Sequence, residues 1–170
     1  MMRLGYISLP GRGASDLFLA QVVDVLAARL ALCGTVQTNT ARADRRRCDM
    51  DLQLLPSGHV LRISEDRGAL ARGCTLDGSV LAQAVVATEA ALPGADLLIV
   101  NKFGKTEAEG GGFAPVIGEA ICLGMPVLVG VNALNLPAFE GFAGGMAEAL
   151  PADLVYVTDW CLQAGLRHAA

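Results

Sequence analysis

The segment Gly94–Phe113, with the sequence GADLLIVNKFGKTEAEGGGF, decides the fold of this chain. Four consecutive apolar residues, Leu97–Val100, follow a Pro-Gly turn and end at Asn101. A short apolar run between turn signals is typical of a strand that is buried on both faces, as in a parallel sheet. We therefore predict a buried strand that stops at Asn101 and Lys102.

A cluster of charged residues follows this strand. Lys102 and Lys105 are the two lysines of the whole chain, and Glu107, Glu109 and three glycines come directly after them. Ligands of open α/β sheets bind just beyond the carboxyl ends of the strands. A solvated loop would also be polar and rich in glycine, but the concentration of both lysines here favours a binding site.

The rest of the chain alternates between strand and helix patterns. The predicted strands are Arg3–Leu9, Thr35–Asn39, Met50–Leu55, His59–Ser64, Leu97–Val100, Pro126–Val131 and Leu154–Thr158. The predicted helices run from Ser15 or Asp16 to about Leu32, with Gly34 ending the helix, from Asp77 or Ser79 to Leu92, and over Phe113–Leu123 and Asn135–Leu150. The turn at Pro56, Ser57 and Gly58 predicts a β-hairpin. This pattern predicts one doubly wound, mostly parallel α/β domain over residues 1–170, with the hairpin inserted after the second strand.

Composition narrows the class of protein. The 170 residues are 53% apolar and 18% charged, which is typical of a folded chain of one-domain length. No apolar run approaches the roughly 18–20 residues of a membrane span, and residues 1–13 lack the apolar stretch of a signal peptide, so we expect a cytoplasmic protein. The net charge of −4 makes nucleic acid an unexpected partner. The five cysteines, an odd number, do not make a disulfide framework.

A second candidate anion site is rich in arginine. Four arginines lie within Ala41–Cys48, which we predict to be an exposed loop, and three more lie in and after the hairpin: Arg42, Arg45, Arg46, Arg47, Arg62, Arg67 and Arg72. Such a set could surround phosphate, nucleic acid or an oxyanion such as molybdate. The alternative is a solvated loop in a chain that scarcely uses lysine. Nearby residues of metal-ligand type have no C-x₂-C spacing, and we predict no metal site from them: Cys48, Asp49, Asp51, His59 and Cys74.

The loop after the first strand, Gly11–Asp16, has a layout that is used to bind phosphate. A strand, a glycine-containing turn and a helix bring backbone N–H groups and a helix N-terminus together. A complete P-loop reads G-x-x-x-x-G-K-[ST]. In the frame that fits, Ser8 occupies the first glycine position, Gly13 the second, Ala14 the lysine and Ser15 the metal-binding hydroxyl. Two of the four defining positions are changed, and a purely structural turn between strand and helix is the alternative.

Read together, this loop and the segment NKFGKTE resemble the thermophilic-type nucleoside-triphosphatases of the P-loop superfamily. Those proteins have a Walker A loop near the N-terminus and a strand that ends in D-E-x-G-K-x-E. Over most of its length the chain resembles more closely an uncharacterised bacterial domain-of-unknown-function family, grouped near them and sometimes annotated beside molybdate-transport ATPases. The stretches that carry this resemblance are RRRCDMDL, RISEDRG, RGC and DLLIVNKFGKTEAEG.

The resemblance implies a P-loop-like fold and ATP or GTP with Mg²⁺ as ligands. Gly104, Lys105 and Glu107 match the G-K-x-E part, which makes Glu107 the candidate catalytic residue. Asn101 stands where the Walker B aspartate would be, and Lys102 where the catalytic glutamate would be. Because an amide and an ammonium group cannot hold Mg²⁺ or orient water as those carboxylates do, we expect little hydrolysis.

We therefore predict a degenerate P-loop domain that binds a nucleotide or another phosphate-like anion and acts in regulation. The expected binding residues are Gly11, Arg12, Gly13, Ala14, Ser15, Asp16, Asn101, Lys102 and Lys105. We expect the first strand and the Leu97–Val100 strand to be neighbours, so that Lys102 replaces the missing P-loop lysine; pairing of Lys102 with Asp16 or Glu107 is the structural alternative. The alternative functions are a slow nucleoside-triphosphatase that uses Glu107 or Glu109, and an oxyanion-binding or protein-interaction module.

Overall fold

The computed structural model describes residues 3–44, 46–70 and 76–169. Our expectations for Arg45, Arg72 and Cys74 lie outside the described residues. The strands are β1 (Leu4–Ile7), β2 (Leu32–Thr40), β3 (Asp49–Leu55), β4 (Val60–Arg62), β5 (Leu97–Phe103), β6 (Val127–Val131) and β7 (Ala147–Ala149). The helices are α1 (Ala14–Leu26), α2 (Gly78–Ala91), α3 (Lys105–Ala108), α4 (Ala114–Cys122), α5 (Leu136–Ala143) and α6 (Leu154–Ala169).

Within the described ranges, seven strands form one sheet in the order β4-β3-β2-β5-β6-β1-β7. The strands from β2 to β7 in this order run parallel, whereas β3 and β4 add an antiparallel hairpin beside β2. The prediction of an α/β fold with a mostly parallel sheet and a hairpin after the second strand is confirmed. The expectation that β1 and β5 are neighbours is wrong, because β6 pairs with both strands and lies between them.

The first four residues of β5 are packed on both faces of the sheet. Leu97 and Ile99 belong to a core cluster with residues of α1 and α6, whereas Leu98 and Val100 belong to a cluster with residues of α2, α4 and α5. All four side chains are fully buried. Successive strand residues point to opposite faces, so burial of both faces requires a continuous apolar run. Full burial of each such side chain contributes about 1.5–3 kcal/mol.

Helix α1 begins earlier than predicted. Its N-cap is Gly13, which has φ 76° and makes no side-chain capping bond, so the predicted caps Ser15 and Asp16 are wrong. A glycine reaches this left-handed conformation without the steric cost that a Cβ imposes. The sequence signal for a polar cap was therefore misleading, because the loop geometry and not a side chain sets the start of the helix.

Helix α1 also ends earlier, at Leu26 instead of about Leu32, and Gly34 lies inside β2. Gly34 has φ 112°, and a Cβ there would come 1.8 Å from the backbone oxygen of Ile99 on β5. The glycine is needed for the close approach of two neighbouring strands and does not end a helix.

The C-terminal region differs most from the prediction. The predicted helix Asn135–Leu150 is divided into α5 and β7, because Gly144 and Gly145 adopt left-handed conformations with φ 57° and 79°. The predicted strand Leu154–Thr158 is the first part of α6. Val157, Trp160 and Cys161 recur at helical spacing and are buried in the same cluster as α1. Neither α6 nor any other helix in the described part of the chain is long and apolar enough to span a membrane.

The hairpin and the start of α2 agree with the sequence. β3 pairs with β4 in antiparallel register, and the amide of Gly58 donates to the carbonyl of Leu54 at 2.8 Å across the turn. Asp77 caps α2 by accepting hydrogen bonds from the amides of Ser79 and Val80. A hydrogen bond from the Ser79 hydroxyl, together with those from the two amides, lowers the pKa of Asp77. This cap is one of the two alternatives that the sequence predicted.

Candidate functional site

A cleft of about 170 Å³ lies at the carboxyl ends of β1, β5 and β6, beside the N-terminus of α1. This edge of a parallel sheet is where α/β proteins bind ligands. The lining comes from the loop before α1, from the first turn of α1 and from the ends of β5 and β6: Leu9, Gly11, Arg12, Gly13, Ser15, Asp16, Asn101, Lys102, Gly130, Val131 and Asn132. Two of the expected binding residues, Ala14 and Lys105, are not among the described residues that line this cleft.

The loop between β1 and α1 forms one wall of the cleft. Gly11 and Gly13 have φ of 98° and 76°, and a Cβ on Gly13 would lie 3.3 Å from the side-chain nitrogen of Asn39. The Ser15 hydroxyl accepts a hydrogen bond from the amide of Leu9 at 3.3 Å, which closes the loop. The first N–H groups of a helix have no acceptor within the helix, so this end of α1 offers donors and a positive dipole to an anion.

A hydrogen-bond network joins α1 to β5 and β2. The Asn101 side-chain amide donates to Asp16 Oδ1 at 2.8 Å, and the Asn39 side-chain amide donates to Asp16 Oδ2. Asn101 Oδ1 accepts from the backbone amide of Gln37 at 2.8 Å, and the Gln37 side chain donates to Asn39 at 2.7 Å. Asn101 is only 3% exposed, and both ends of its amide are satisfied. The network holds the Asp16 carboxylate in place beside the loop.

The end of β5 is irregular where it meets the cleft. The strand continues through Asn101 and Lys102 to Phe103, so the predicted stop at Asn101 is wrong. Its pairing with β6 shifts register between Val100 and Phe103, as in a β-bulge. Gly130 of β6 lies beneath the shift, where a Cβ would come 2.3 Å from the backbone oxygen of Asn101. Bulges redirect side chains beside binding sites, and the lack of a side chain at Gly130 permits this one.

The two lysines lie in different surroundings. Lys102 lines the cleft and forms no ion pair with any described residue, so neither pairing with Asp16 nor pairing with Glu107 is present. Lys105 belongs to α3, where its side chain is 88% exposed and its ammonium group lies 3.8 Å from Glu109. Arg12 is a second cation of the cleft, and it too takes part in none of the ion pairs between described residues. The cleft therefore contains two cations that are available to a ligand.

Glu107, the candidate catalytic residue, is buried and supports the backbone. One of its oxygens accepts from the amide of Gly104 at 3.0 Å, and the other accepts from the amide of Phe113 at 3.1 Å. Its carboxylate also fills the space beside Gly112, where a Cβ would come 2.2 Å from Glu107 Oε1. Glu107 is not among the described residues that line the cleft. This geometry favours a structural role, in which the carboxylate holds α3 against the start of α4.

Three arginines in or beside the hairpin are paired with carboxylates. Arg42 contacts Asp44 and Asp49, and Arg62 contacts Asp49 and Asp51. The hydrogen bond to Asp44 raises the pKa of Arg42, and the hydrogen bond to Asp51 raises the pKa of Arg62. Arg67 pairs in the same way with Glu65. These pairs already engage three of the arginines that the sequence suggested for an oxyanion site, Arg42, Arg62 and Arg67. They also engage Asp49 and Asp51, which had the residue type of metal ligands.

Sequence reasoning did not identify several residues of this site. Gln37 and Asn39 lie among the last four residues of β2, Gly130 lies in β6, and Asn132 follows β6 and lines the cleft. Asn132 Oδ1 accepts hydrogen bonds from the backbone and side-chain nitrogens of Asn135, both at 2.9 Å. These two bonds fix the orientation of the Asn132 side chain. The polar residues that directly follow the apolar runs of β2 and β6 could have indicated these positions in the sequence, because parallel strands place such residues at one edge of the sheet.

Comparison with known proteins identifies the family. Residues 4–160 match the family described as "Protein of unknown function (DUF2478)", and the chain belongs to it. The chain is also 33% identical over 140 residues to the molybdenum import ATP-binding protein ModC 2 of Bradyrhizobium diazoefficiens. That match covers 81% of this chain but only 15% of the relative.

Two solved structures have a similar fold. The solution structure of a human cancer-related nucleoside triphosphatase has a TM-score of 0.59 at 15% identity, with 88% of each chain covered. THEP1 from the hyperthermophile Aquifex aeolicus has a TM-score of 0.54 at 14% identity, with 96% of this chain and 98% of that chain covered. At this level of identity the similarity establishes the fold alone, and that fold is the mostly parallel α/β arrangement that the sequence predicted.

Proposed function

We propose that the cleft binds the phosphate chain of a nucleotide, ATP or GTP, and that this member of the family acts in regulation with little hydrolysis. The observation that carries the proposal is the presence in one cleft of the α1 N-terminus and of two cations, Arg12 and Lys102, that no described residue pairs. A helix N-terminus and basic side chains each attract phosphate. The names of two similar proteins, an ATP-binding protein and a nucleoside triphosphatase, support a nucleotide as ligand.

Lys102 is our candidate for the missing P-loop lysine. Ala14 occupies the lysine position of the loop, and Ala14 cannot supply a charge. Although β6 separates β1 from β5, Lys102 and the loop line the same cleft. An ammonium group acts on phosphate as a point charge and needs no bidentate geometry, so a lysine that approaches from β5 can take over this role.

We propose little hydrolysis because the carboxylates that would catalyse it are either replaced by other residue types or already bound to backbone amides. Asn101 replaces the Walker B aspartate, and its only side-chain oxygen already accepts the amide of Gln37. Lys102 stands where a catalytic glutamate would orient water, and both oxygens of Glu107 are bound to backbone amides. Most of the electrostatic stabilisation of a transferring phosphoryl group is therefore missing.

Mg²⁺, which the fold family implies, has suitable donors in the cleft. Mg²⁺ prefers a few carboxylate or hydroxyl oxygens, with phosphate and water completing its coordination. The Ser15 hydroxyl and the Asp16 carboxylate are oxygen donors in the cleft, and these two residues would hold the ion. The bound ion would supply charge neutralisation for the phosphate chain.

Isothermal titration with ATP, GTP, ADP and inorganic phosphate, each with and without Mg²⁺, tests the binding proposal. We expect the triphosphates to bind more tightly than phosphate, because they reach both the α1 N-terminus and Lys102. A ligand at 100 times its Kd should also raise the free energy of unfolding by about 2.7 kcal/mol. Absence of heat and of stabilisation with every phosphate compound would contradict the proposal.

A phosphate-release assay tests the proposal of weak hydrolysis. We expect turnover well below the usual range of about 1–10³ s⁻¹. Magnesium-dependent hydrolysis within that range, lost in a folded Glu107→Gln variant, would instead favour the alternative of a nucleoside-triphosphatase that uses Glu107.

Molybdate is a second candidate ligand for the same cleft. The observation that favours it is the 33% identity to a protein named for molybdenum import. Molybdate is a tetrahedral dianion of the same shape class as phosphate, so a helix N-terminus with a nearby ammonium group suits both. Titration with molybdate, with sulfate as the matched tetrahedral control, separates the two ligands: tighter binding of molybdate than of ATP would favour the oxyanion.

A further inference from the structure

A carboxylate in an anion-binding cleft requires an explanation. Asp16 lines the cleft, and its two oxygens accept hydrogen bonds from the side-chain amides of Asn101 and Asn39. Both partners are neutral, and Asp16 takes part in none of the ion pairs found within residues 3–44, 46–70 and 76–169. Its negative charge would repel a phosphate ligand at this distance from the loop. A divalent cation held by Asp16 would neutralise this charge and remove the repulsion.

We propose that the roles of carboxylate and amide are exchanged between α1 and β5, so that Asp16 is the residue that binds the divalent cation accompanying the phosphate chain. This inference rests on the proposed function. Asn101 carries the amide at the position where the resemblance leads one to expect a carboxylate, and Asp16 carries the carboxylate directly opposite, 2.8 Å away. A second carboxylate at Asn101 would repel the first, whereas the amide stabilises it.

The surrounding network prepares Asp16 for this task. The backbone amide of Gln37 donates to Asn101 Oδ1, which forces the NH₂ group of Asn101 toward Asp16. Each Asp16 oxygen receives one N–H and can still accept another partner, since a carboxylate has about four lone-pair sites. The hydroxyl of the preceding Ser15 is a second oxygen in the same cleft. Both groups are on α1, so the cation site would be independent of the β5 residue that normally supplies it in the proteins that the chain resembles.

The exchange can be tested with ATP and Mn²⁺, which is a spectroscopic substitute for Mg²⁺. Calorimetry gives the affinity for ATP in EDTA and for Mn-ATP, and EPR measures the free Mn²⁺ directly, so that neither readout depends on hydrolysis. We expect the wild-type chain to bind Mn-ATP at least about ten-fold more tightly than metal-free ATP, as for an interaction with a charged group. Asp16→Asn should reduce this preference to less than about two-fold, while metal-free ATP binds equally well or better because the repulsion is gone.

The matched control is Asp24→Asn, which removes a carboxylate from an exposed position of the same helix. It should leave the Mn²⁺ preference unchanged. The double variant Asp16→Asn, Asn101→Asp returns the carboxylate to β5 and keeps a carboxylate–amide pair. It should regain most of the preference, and Asn101→Asp alone should bind ATP less tightly in EDTA.

Each result bears on the proposal. A wild-type chain with equal affinities for ATP and Mn-ATP, an Asp16→Asn variant that keeps the preference, or a folded double variant that does not regain it would overturn the exchange of roles. Failure of the wild-type chain to bind ATP in either form would overturn the proposed function itself, and the inference with it. Thermal unfolding of each variant confirms that the protein is folded before its affinity is compared.

Discussion

The cleft and the β3–β4 hairpin, including the segment that leads into it, each contain a pair of cationic side chains, and the two pairs differ in what they contact. On the hairpin, Arg42 and Arg62 share the buried carboxylate of Asp49, and each has a further aspartate partner. In the cleft, Arg12 and Lys102 have no acidic partner among the described residues. The sequence makes the hairpin a second candidate anion site, because this region is rich in arginine. The structure shows that the number of cations is a poor guide when neighbouring carboxylates have already bound some of them.

The largest effect should come from closing the cleft at Gly13. Gly13→Val adds a branched side chain at φ 76° beside Asn39, so we expect ATP affinity to fall by about 100-fold or more. Gly58→Val is the matched control, because Gly58 has nearly the same φ of 74° but lies in the hairpin turn. The two variants should lose similar stability, while only Gly13→Val loses binding by calorimetry. Equal affinity losses in the two folded variants would show that the cleft is not the binding site.

Lys102→Ala should have the next largest effect. Loss of a hydrogen bond from a charged donor to a phosphate weakens binding by about 1.5–3 kcal/mol, or roughly 10- to 150-fold. Lys105→Ala is the control, since its side chain is exposed and lies beside Glu109 outside the cleft. Calorimetric titration of both variants with ATP decides the matter. If Lys105→Ala loses as much affinity as Lys102→Ala, the phosphate chain lies beyond β5 and not in the cleft.

The difference between these lysines also shows what the sequence could predict. The apolar run Leu97–Val100 was sufficient to predict the central strand, because burial on both faces leaves a local signature. The sequence could not predict the bulge at Asn101 and Lys102, since it depends on the absence of a side chain at Gly130 on the neighbouring strand. Local sequence patterns likewise could not predict the order of the strands, and the expectation that β5 is the neighbour of β1 was wrong.

Part of the candidate site was predicted, because its segments follow strands that the sequence makes recognisable. The loop Gly11–Asp16 and the pair Asn101 and Lys102 each follow a recognisable strand, and the structure brings them to one cleft. The hydrogen bond from Asn101 to Asp16 joins residues that are far apart in the chain. The hydrogen bond from the Phe113 amide to Glu107 depends on the local backbone geometry. Glu107 therefore looked like a free carboxylate in the sequence, although backbone amides bind both of its oxygens.

A smaller effect is expected at the rim of the cleft. Arg12 is exposed, so water and salt weaken its attraction for a ligand, and Arg12→Ala should lower ATP affinity by about three- to ten-fold at low salt. Arg42→Ala on the hairpin should change the affinity by less than about two-fold. Repeating both titrations at high ionic strength should reduce the effect of Arg12→Ala, because exposed charges separated by more than a Debye length of about 3 Å are screened in 1 M salt. A larger loss in Arg42→Ala would identify the hairpin as part of the binding surface.

The smallest expected effect is a gain of anion binding at the hairpin, which tests whether carboxylate pairing is what separates the hairpin from the cleft. If paired carboxylates are what prevents the hairpin from binding anions, removing one of them should create a weak site. Asp49→Asn removes the charge that Arg42 and Arg62 share at N–O distances of 3.3 and 3.1 Å, but Asp44 and Asp51 remain as partners. We therefore expect only weak sulfate binding, with a Kd of roughly millimolar order.

The measurement is made in a Gly13→Val background, so that the cleft does not contribute, and follows the backbone amide signals of β3 and β4 by NMR during a sulfate titration. The Gly13→Val variant alone is the control and should show no saturable change in those strands. Repulsion between the two guanidinium groups, which no longer share Asp49, gives the physical reason for the gain, because a bound anion between them relieves it. Saturable sulfate binding to the hairpin before Asp49 is changed would mean that carboxylate pairing does not separate the two regions, and that the arginines of the hairpin are available after all.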